Sequence, residues 1–203
     1  MTAAESQAAE LQQYLPLIDR QLQLAFAANH TAAAFAEQGL VEAALDRWNE
    51  GKACTQDWLE PISRRSPEGK TVNDVHKVDE RFDLKGARSL SRGAILLAAG
   101  VDGTDLSKLT PPFEVSIAPE ERLKQAIGAF RDAIRCALDV SVRADAFYRT
   151  AVACVELANL ETGNVATWRR RAEDATNRAE SSDRRGEYVP RIASLRKSLK
   201  PST

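Results

Sequence analysis

The amino-acid sequence predicts an all-α protein, and three observations lead to this fold class. Alanine is abundant, whereas aromatic residues make up only 6% of the 203 residues. Valine and isoleucine form no alternating runs, so helix propensity exceeds strand propensity along nearly the whole chain. Apolar residues recur at spacings of three and four, the period of an α-helix. We expect a single all-helical domain over residues 1–203, with about seven or eight helices.

The first two predicted helices are joined by a very short turn. Helix one begins near residue 4, passes Pro16 as a kink or restart, and ends at Gly39. The apolar residues of helix two share one face, because they fall at i, i+3, i+4 and i+7: Val41, Ala44, Leu45 and Trp48. Since the connection is short, this face is expected to pack on helix one, folded back antiparallel, with Phe35 in contact.

The middle of the chain, from about residue 61 to 118, is predicted to be an irregular insertion. It contains a polar loop over 61–70, a helix capped by Thr71, and a helix that ends at Gly100. Glycine and tandem prolines then predict an ordered surface excursion over 101–118. Such excursions often carry function in helical scaffolds, so Phe113 is a candidate binding residue.

The next helix is predicted over residues 119–139, where a proline in the first turn and two following glutamates favour a helix start. Its apolar face has a helical period and consists of Leu123, Ala126, Ile127, Phe130, Ile134, Ala137 and Leu138. A second helical hairpin follows, with a turn at 162–164 before a helix that carries Trp168. A last amphipathic helix after Pro190 is expected to cap the stack.

Two stretches match the residue types of a known helical hairpin. Seven of the twenty positions between residues 32 and 51 follow its order of small, aromatic and glycine residues: Ala32, Phe35, Gly39, Ala44, Leu45, Trp48 and Gly51. A second stretch, from Ala126 to Ala133, is similar to the second helix of such a unit. In these positions the chain resembles the tetratricopeptide-repeat (TPR) family. The resemblance implies antiparallel hairpins in a TPR-like stack, or an irregular helical bundle, with a groove for a peptide or protein.

Charge is distributed unevenly, although the formal net charge is only −1. Two arginines against seven carboxylates give residues 1–50 a net charge of −5, whereas ten basic against five acidic residues give 164–203 a net charge of +5. This asymmetry favours an acidic protein partner or self-association. The candidate binding residues at the basic end are Arg169, Arg170, Arg171 and Arg178. Polyanion or nucleic-acid binding through these helices is the alternative, which the interleaved glutamates make less favourable.

Residue types for catalysis are scarce. The only histidines are His30 and His76, and His76 with Glu80 on the next helical turn is the one candidate for a metal-dependent enzyme. A solvated charged helix face is the simpler interpretation of that segment. We therefore predict no catalytic residue, no metal and no cofactor. The predicted function is a non-catalytic interaction scaffold or adaptor.

The cysteines and the apolar stretches bear on the compartment. Cys54, Cys136 and Cys154 are odd in number and form no CxxC pair, which is typical of a reducing compartment. The N-terminal residues do not resemble a signal peptide, and the longest apolar stretch, at 94–101, is too short to span a bilayer. These features predict a cytoplasmic protein with no membrane partner.

Overall fold

The computed structural model describes residues 3–63, 84–102, 118–160 and 164–199. These residues form seven helices and contain no strand, so the predicted all-α fold class is confirmed. The helices are α1 (Ala3–Glu37), α2 (Val41–Ser63), α3 (Leu84–Asp102), α4 (Pro119–Cys136), α5 (Val140–Leu160), α6 (Val165–Ser182) and α7 (Val189–Leu199). The core consists mostly of small and aliphatic side chains, with Trp48, Phe130 and Trp168, and includes residues from all seven helices.

Helix α1 is continuous through the exposed Pro16 and ends in a glycine turn. Gly39 has φ of +75°, which favours glycine, and Leu40 N donates to Phe35 O at 3.0 Å. Helix α2 then runs back along α1, since a Cβ on Gly51 would lie 3.2 Å from Ala25 O. The wider stack of hairpins that a TPR-like fold implies stays a prediction.

Phe35, just before the turn, and Trp48, in α2, pack as the apolar pattern predicts. Trp48 is only 3% exposed, and Phe35 is half-buried against the same core. The second predicted turn, at 162–164, lies mostly outside the described residues; α6 begins directly after Asn164.

Helix α3, which the sequence predicted as a helix ending at Gly100, packs against α1, α2, α4 and α5. Most of the remaining predicted irregular insertion over 61–118 lies outside the described residues. The buried residues of α3 include Leu90 and Ile95, and the helix continues past the predicted end at Gly100 to Asp102. Glycine lowers the propensity of an isolated helix. Here Gly93 and Gly100 instead allow α4 to approach, since a Cβ on Gly100 would lie 2.9 Å from Leu123 Cγ.

Helix α4 begins at Pro119 as predicted, but it ends before the predicted apolar face does. Ala137 has extended backbone angles, with φ −67° and ψ 132°, so the helical register stops there. Leu138 is consequently 52% exposed, and its assignment to the buried face was wrong.

Arginine side chains satisfy main-chain carbonyls at two helix ends. Arg122, which is buried, donates through Nη1 to Ala99 O in the last turn of α3 at 3.2 Å. Arg143 donates through Nε to Ala137 O, just after α4, at 2.7 Å. Cationic donors are favourable at these positions because the last carbonyls of a helix have no partner within it.

The last three helices pack in sequence, α5 against α6 and α6 against α7. Helix α7 buries Ile192 and Leu199, and Leu195 is half-buried on the same side, as predicted. Among the described residues, no helix is long and apolar enough to cross a membrane.

Candidate functional site

A groove of about 220 Å³ lies where the C-terminal end of α1 meets α3 and α5. Six of its nine lining residues are apolar, and four of these six are alanine or glycine: Ala36, Gly39, Ala94, Leu97, Ala98 and Val152. Three polar residues complete it, Glu37, Tyr148 and Arg149. Alanine and glycine leave this space open because their side chains are too short to close the gap between the helices.

Arg149 is the buried charge of the groove. Its side chain is 8% exposed and forms two ion pairs. Nε donates to Asp145 Oδ1 at 2.8 Å within α5, and Nη2 donates to Glu37 Oε2 at 3.1 Å across to α1. Burial opposes the guanidinium charge, but the Asp145 and Glu37 carboxylates outweigh it and raise the pKa of Arg149. The guanidinium is therefore charged at every physiological pH.

Glu37 also connects α1 to the last helix. Its Oε1 accepts from Nη1 of Arg191 in α7, so one carboxylate bridges two arginines from different helices. Arg191 lies over the Tyr188 ring, with 5.9 Å from the guanidinium carbon to the ring centroid. The Tyr188 ring in turn packs on Tyr148, with 5.5 Å between centroids. The edge of the groove is thus held by α1, α5 and the start of α7.

Both tyrosines beside the groove are poor acids. Burial raises the pKa of Tyr148. Burial also raises the pKa of Tyr188, and the Asp145 carboxylate adds to the effect through its charge and a hydrogen bond. Both hydroxyls are therefore protonated near neutral pH.

A larger cavity, of about 350 Å³, lies between the loop before α5 and the loop before α7. Its lining includes Arg184 and Arg185, but three carboxylates also line it, those of Asp139, Asp183 and Glu187. Asp139 accepts from Ser141 N at 2.8 Å, and Asp183 accepts from Tyr188 N at 2.7 Å. The Ser141 hydrogen bond lowers the pKa of Asp139, so its negative charge persists beside the arginines. The two loops that line the cavity are held by these hydrogen bonds and carry charges of both signs, so we assign no ligand to it.

The predicted basic residues lie on α6, away from the groove. All four are exposed, and none lines either cavity. Because successive helical residues are separated by about 100°, Arg169 and Arg171 point to opposite flanks of α6 and Arg170 points between them. Arg171 stacks on Trp168 at 4.7 Å, and Arg178 lies 3.9 Å from Asp174. The structure therefore places Arg171 and Arg178 on one flank and separates them from Arg169.

Two other candidates, Phe113 and His76, lie outside the described residues. Within the described ranges, no group of three or more histidine, cysteine or acidic side chains is arranged to hold a metal ion. His30 lies on α1 and packs against Phe26, with 4.3 Å between ring centroids.

The sequence analysis missed the buried cluster around Arg149. Its signal was present, since Asp145 and Arg149 are one helical turn apart in a segment where the neighbours are small or apolar. Opposite charges one turn apart in a largely apolar helix indicate a buried ion pair. Its tertiary partner Glu37 gave no such signal, because it lies 112 residues away.

The chain was compared with protein-family models, with curated proteins and with solved structures, and none of them matches it. The function is therefore inferred from the geometry of the groove.

Proposed function

We propose that the protein is a non-catalytic binding protein whose groove between α1, α3 and α5 accepts an apolar segment of a partner protein. The observation that carries this proposal is the open, alanine-lined space beside the buried Arg149. A volume of about 220 Å³ lies below the range of about 300–1,000 Å³ that is usual for small-molecule sites. It suits one or two side chains of a larger partner, as in helix-in-groove recognition.

The TPR-like resemblance supports the same role, because that family is typified by helical grooves for peptides. The proposed partner contacts α1, α3 and α5, whereas the sequence pointed to the arginines of α6. An adaptor or scaffold role follows from this proposal, with the partner's chemistry set by the groove.

A displayed library of random peptides tests the proposal. It is selected on the wild-type protein and counter-selected on Val152→Trp, in which the larger side chain fills the groove. Asn159→Trp, an exposed position on the same helix, is the matched control. We expect peptides with apolar residues spaced by three or four, bound by the wild type and by Asn159→Trp but not by Val152→Trp. Peptides that bind all three proteins equally, or no enrichment, would refute the proposed groove.

A further inference from the structure

Arg149 has hydrogen-bonding capacity that the described residues do not use. A guanidinium carries five N–H donors. Nε and Nη2 of Arg149 donate to Asp145 and Glu37, but within the described ranges Nη1 has no acceptor. The side chain is more than nine-tenths buried and lines the groove. A group that enters the groove beside Arg149 and excludes water from Nη1 leaves this donor unsatisfied unless it brings an acceptor atom of its own.

The charge around Arg149 determines which acceptor fits. Arg149 and Arg191 carry two positive charges, and Glu37 and Asp145 carry two negative charges. The cluster is therefore neutral. An incoming carboxylate would add a third negative charge close to Glu37 and Asp145, whereas an uncharged carbonyl oxygen accepts the hydrogen bond without that repulsion.

The same fold already shows this kind of contact twice. Arg122 donates to Ala99 O, and Arg143 donates to Ala137 O; both acceptors are main-chain carbonyls freed at helix ends. We propose, building on the groove function proposed above, that Arg149 donates through Nη1 to an uncharged main-chain carbonyl of the partner segment whose apolar side chain fills the groove. Arg149 then fixes the register of the segment, and the alanine-lined wall selects its side chain.

A pair of small probes tests this assignment without the natural partner. Isovaleramide carries one branched alkyl group and an uncharged amide carbonyl, and isovalerate carries the same alkyl group with a carboxylate. Each is titrated into protein labelled for NMR, with the Val152 methyl groups and the Arg149 Nε–H followed. We expect weak binding of isovaleramide that shifts both signals, and weaker binding of isovalerate. Arg149→Lys should weaken isovaleramide binding about tenfold, whereas Arg196→Lys, which alters an exposed pair with Glu180, should not.

The outcomes separate this inference from the proposed function. Shifts at Val152 without a shift at Arg149 would overturn the role of Arg149 and leave the groove standing. Isovalerate binding as tightly as isovaleramide would overturn the assignment of an uncharged acceptor. No shift at either position would overturn the groove itself. Because the wild-type shifts are read directly, the test holds even if Arg149→Lys fails to fold.

Discussion

Gly93 of α3 lies directly against the ring of Phe130 in α4, so closely that a Cβ on the glycine would be 2.4 Å from Phe130 Cε1. Phe130 is fully buried, so any shift of its ring must disturb the close-packed core around it. This contact sets the distance between α3 and α4, and α3 in turn forms one wall of the groove.

Gly93→Ala should destabilise the protein for this reason. The overlap is expected to cost about 3 kcal/mol, and the better helix propensity of alanine to offset about 1 kcal/mol. The free energy of unfolding, measured by urea denaturation, should therefore fall by about 2 kcal/mol. The matched control is Gly128→Ala in α4, where a Cβ would meet nothing within 4 Å. That variant should gain up to about 1 kcal/mol; equal effects at both positions would contradict the packing described here.

Asp145→Ala should be strongly destabilising, because it leaves Arg149 buried with half of its compensating charge. Removing one partner of a buried ion pair typically costs about 3–5 kcal/mol. We expect a loss near about 3 kcal/mol in the free energy of unfolding, since Glu37 remains. Asp174→Ala is the control: Asp174 is 75% exposed and 3.9 Å from Arg178, so its removal should change stability by less than about 0.5 kcal/mol. Similar losses in both variants would show that Arg149 does not depend on Asp145.

Stability should decrease in alkaline solution, and Cys154 should contribute to the decrease. Burial raises the pKa of this thiol from 9.0 to about 11. Between these values the unfolded chain loses the thiol proton while the folded protein keeps it, so the free energy of unfolding falls as pH rises. Tyr148 and Tyr188, whose pKa values are also raised, act in the same direction.

Urea denaturation across this pH range checks the contribution of Cys154. In Cys154→Ala the decrease should be shallower than in the wild type, by at most about 1.4 kcal/mol per pH unit. The two slopes are compared, so any pH-independent cost of the substitution cancels. Parallel slopes would show that the thiol ionises equally well in both states.

The alternative function, polyanion binding through α6, predicts salt-sensitive binding to duplex DNA. We expect weak binding, because Arg169 and Arg171 point to opposite flanks and Arg178 lies close to Asp174. Fluorescence anisotropy with a labelled duplex at low and physiological salt measures this. Charge reversal at Arg170 serves as the test variant, since it faces outward from α6. Tight binding that this substitution abolishes would favour the alternative over the groove.

The sequence predicted the helices well where apolar spacing was regular, as at Trp48 and Ile192, because a helix buries one face and its period is visible in the residues. The sequence-based prediction failed at Leu138. The apolar spacing continues through this residue, but the extended backbone of Ala137 ends the helix before it. The sequence predicted a helix in the segment of α3, but not the role of Gly93 and Gly100, which are poor helix formers in isolation and serve close packing in the fold. The helix propensity of a residue carries no information about such a contact with another helix.

The candidate site was less predictable for a related reason. The sequence pointed to arginines that are conspicuous because they are consecutive, and consecutive residues diverge around a helix. Arg149 acquires its role from Glu37, a residue of another helix, and from the gap that small side chains leave among α1, α3 and α5. Only the assembled fold brings these together.

The bridging carboxylate of Glu37 has a consequence for biosynthesis. Its two arginine partners lie 112 and 154 residues further along the chain. On the ribosome, Glu37 therefore emerges long before either arginine has been translated. Until α5 and α7 have been synthesised, the carboxylate at the end of α1 lacks both of these partners, so the ionic bridge is completed only after both helices have been translated.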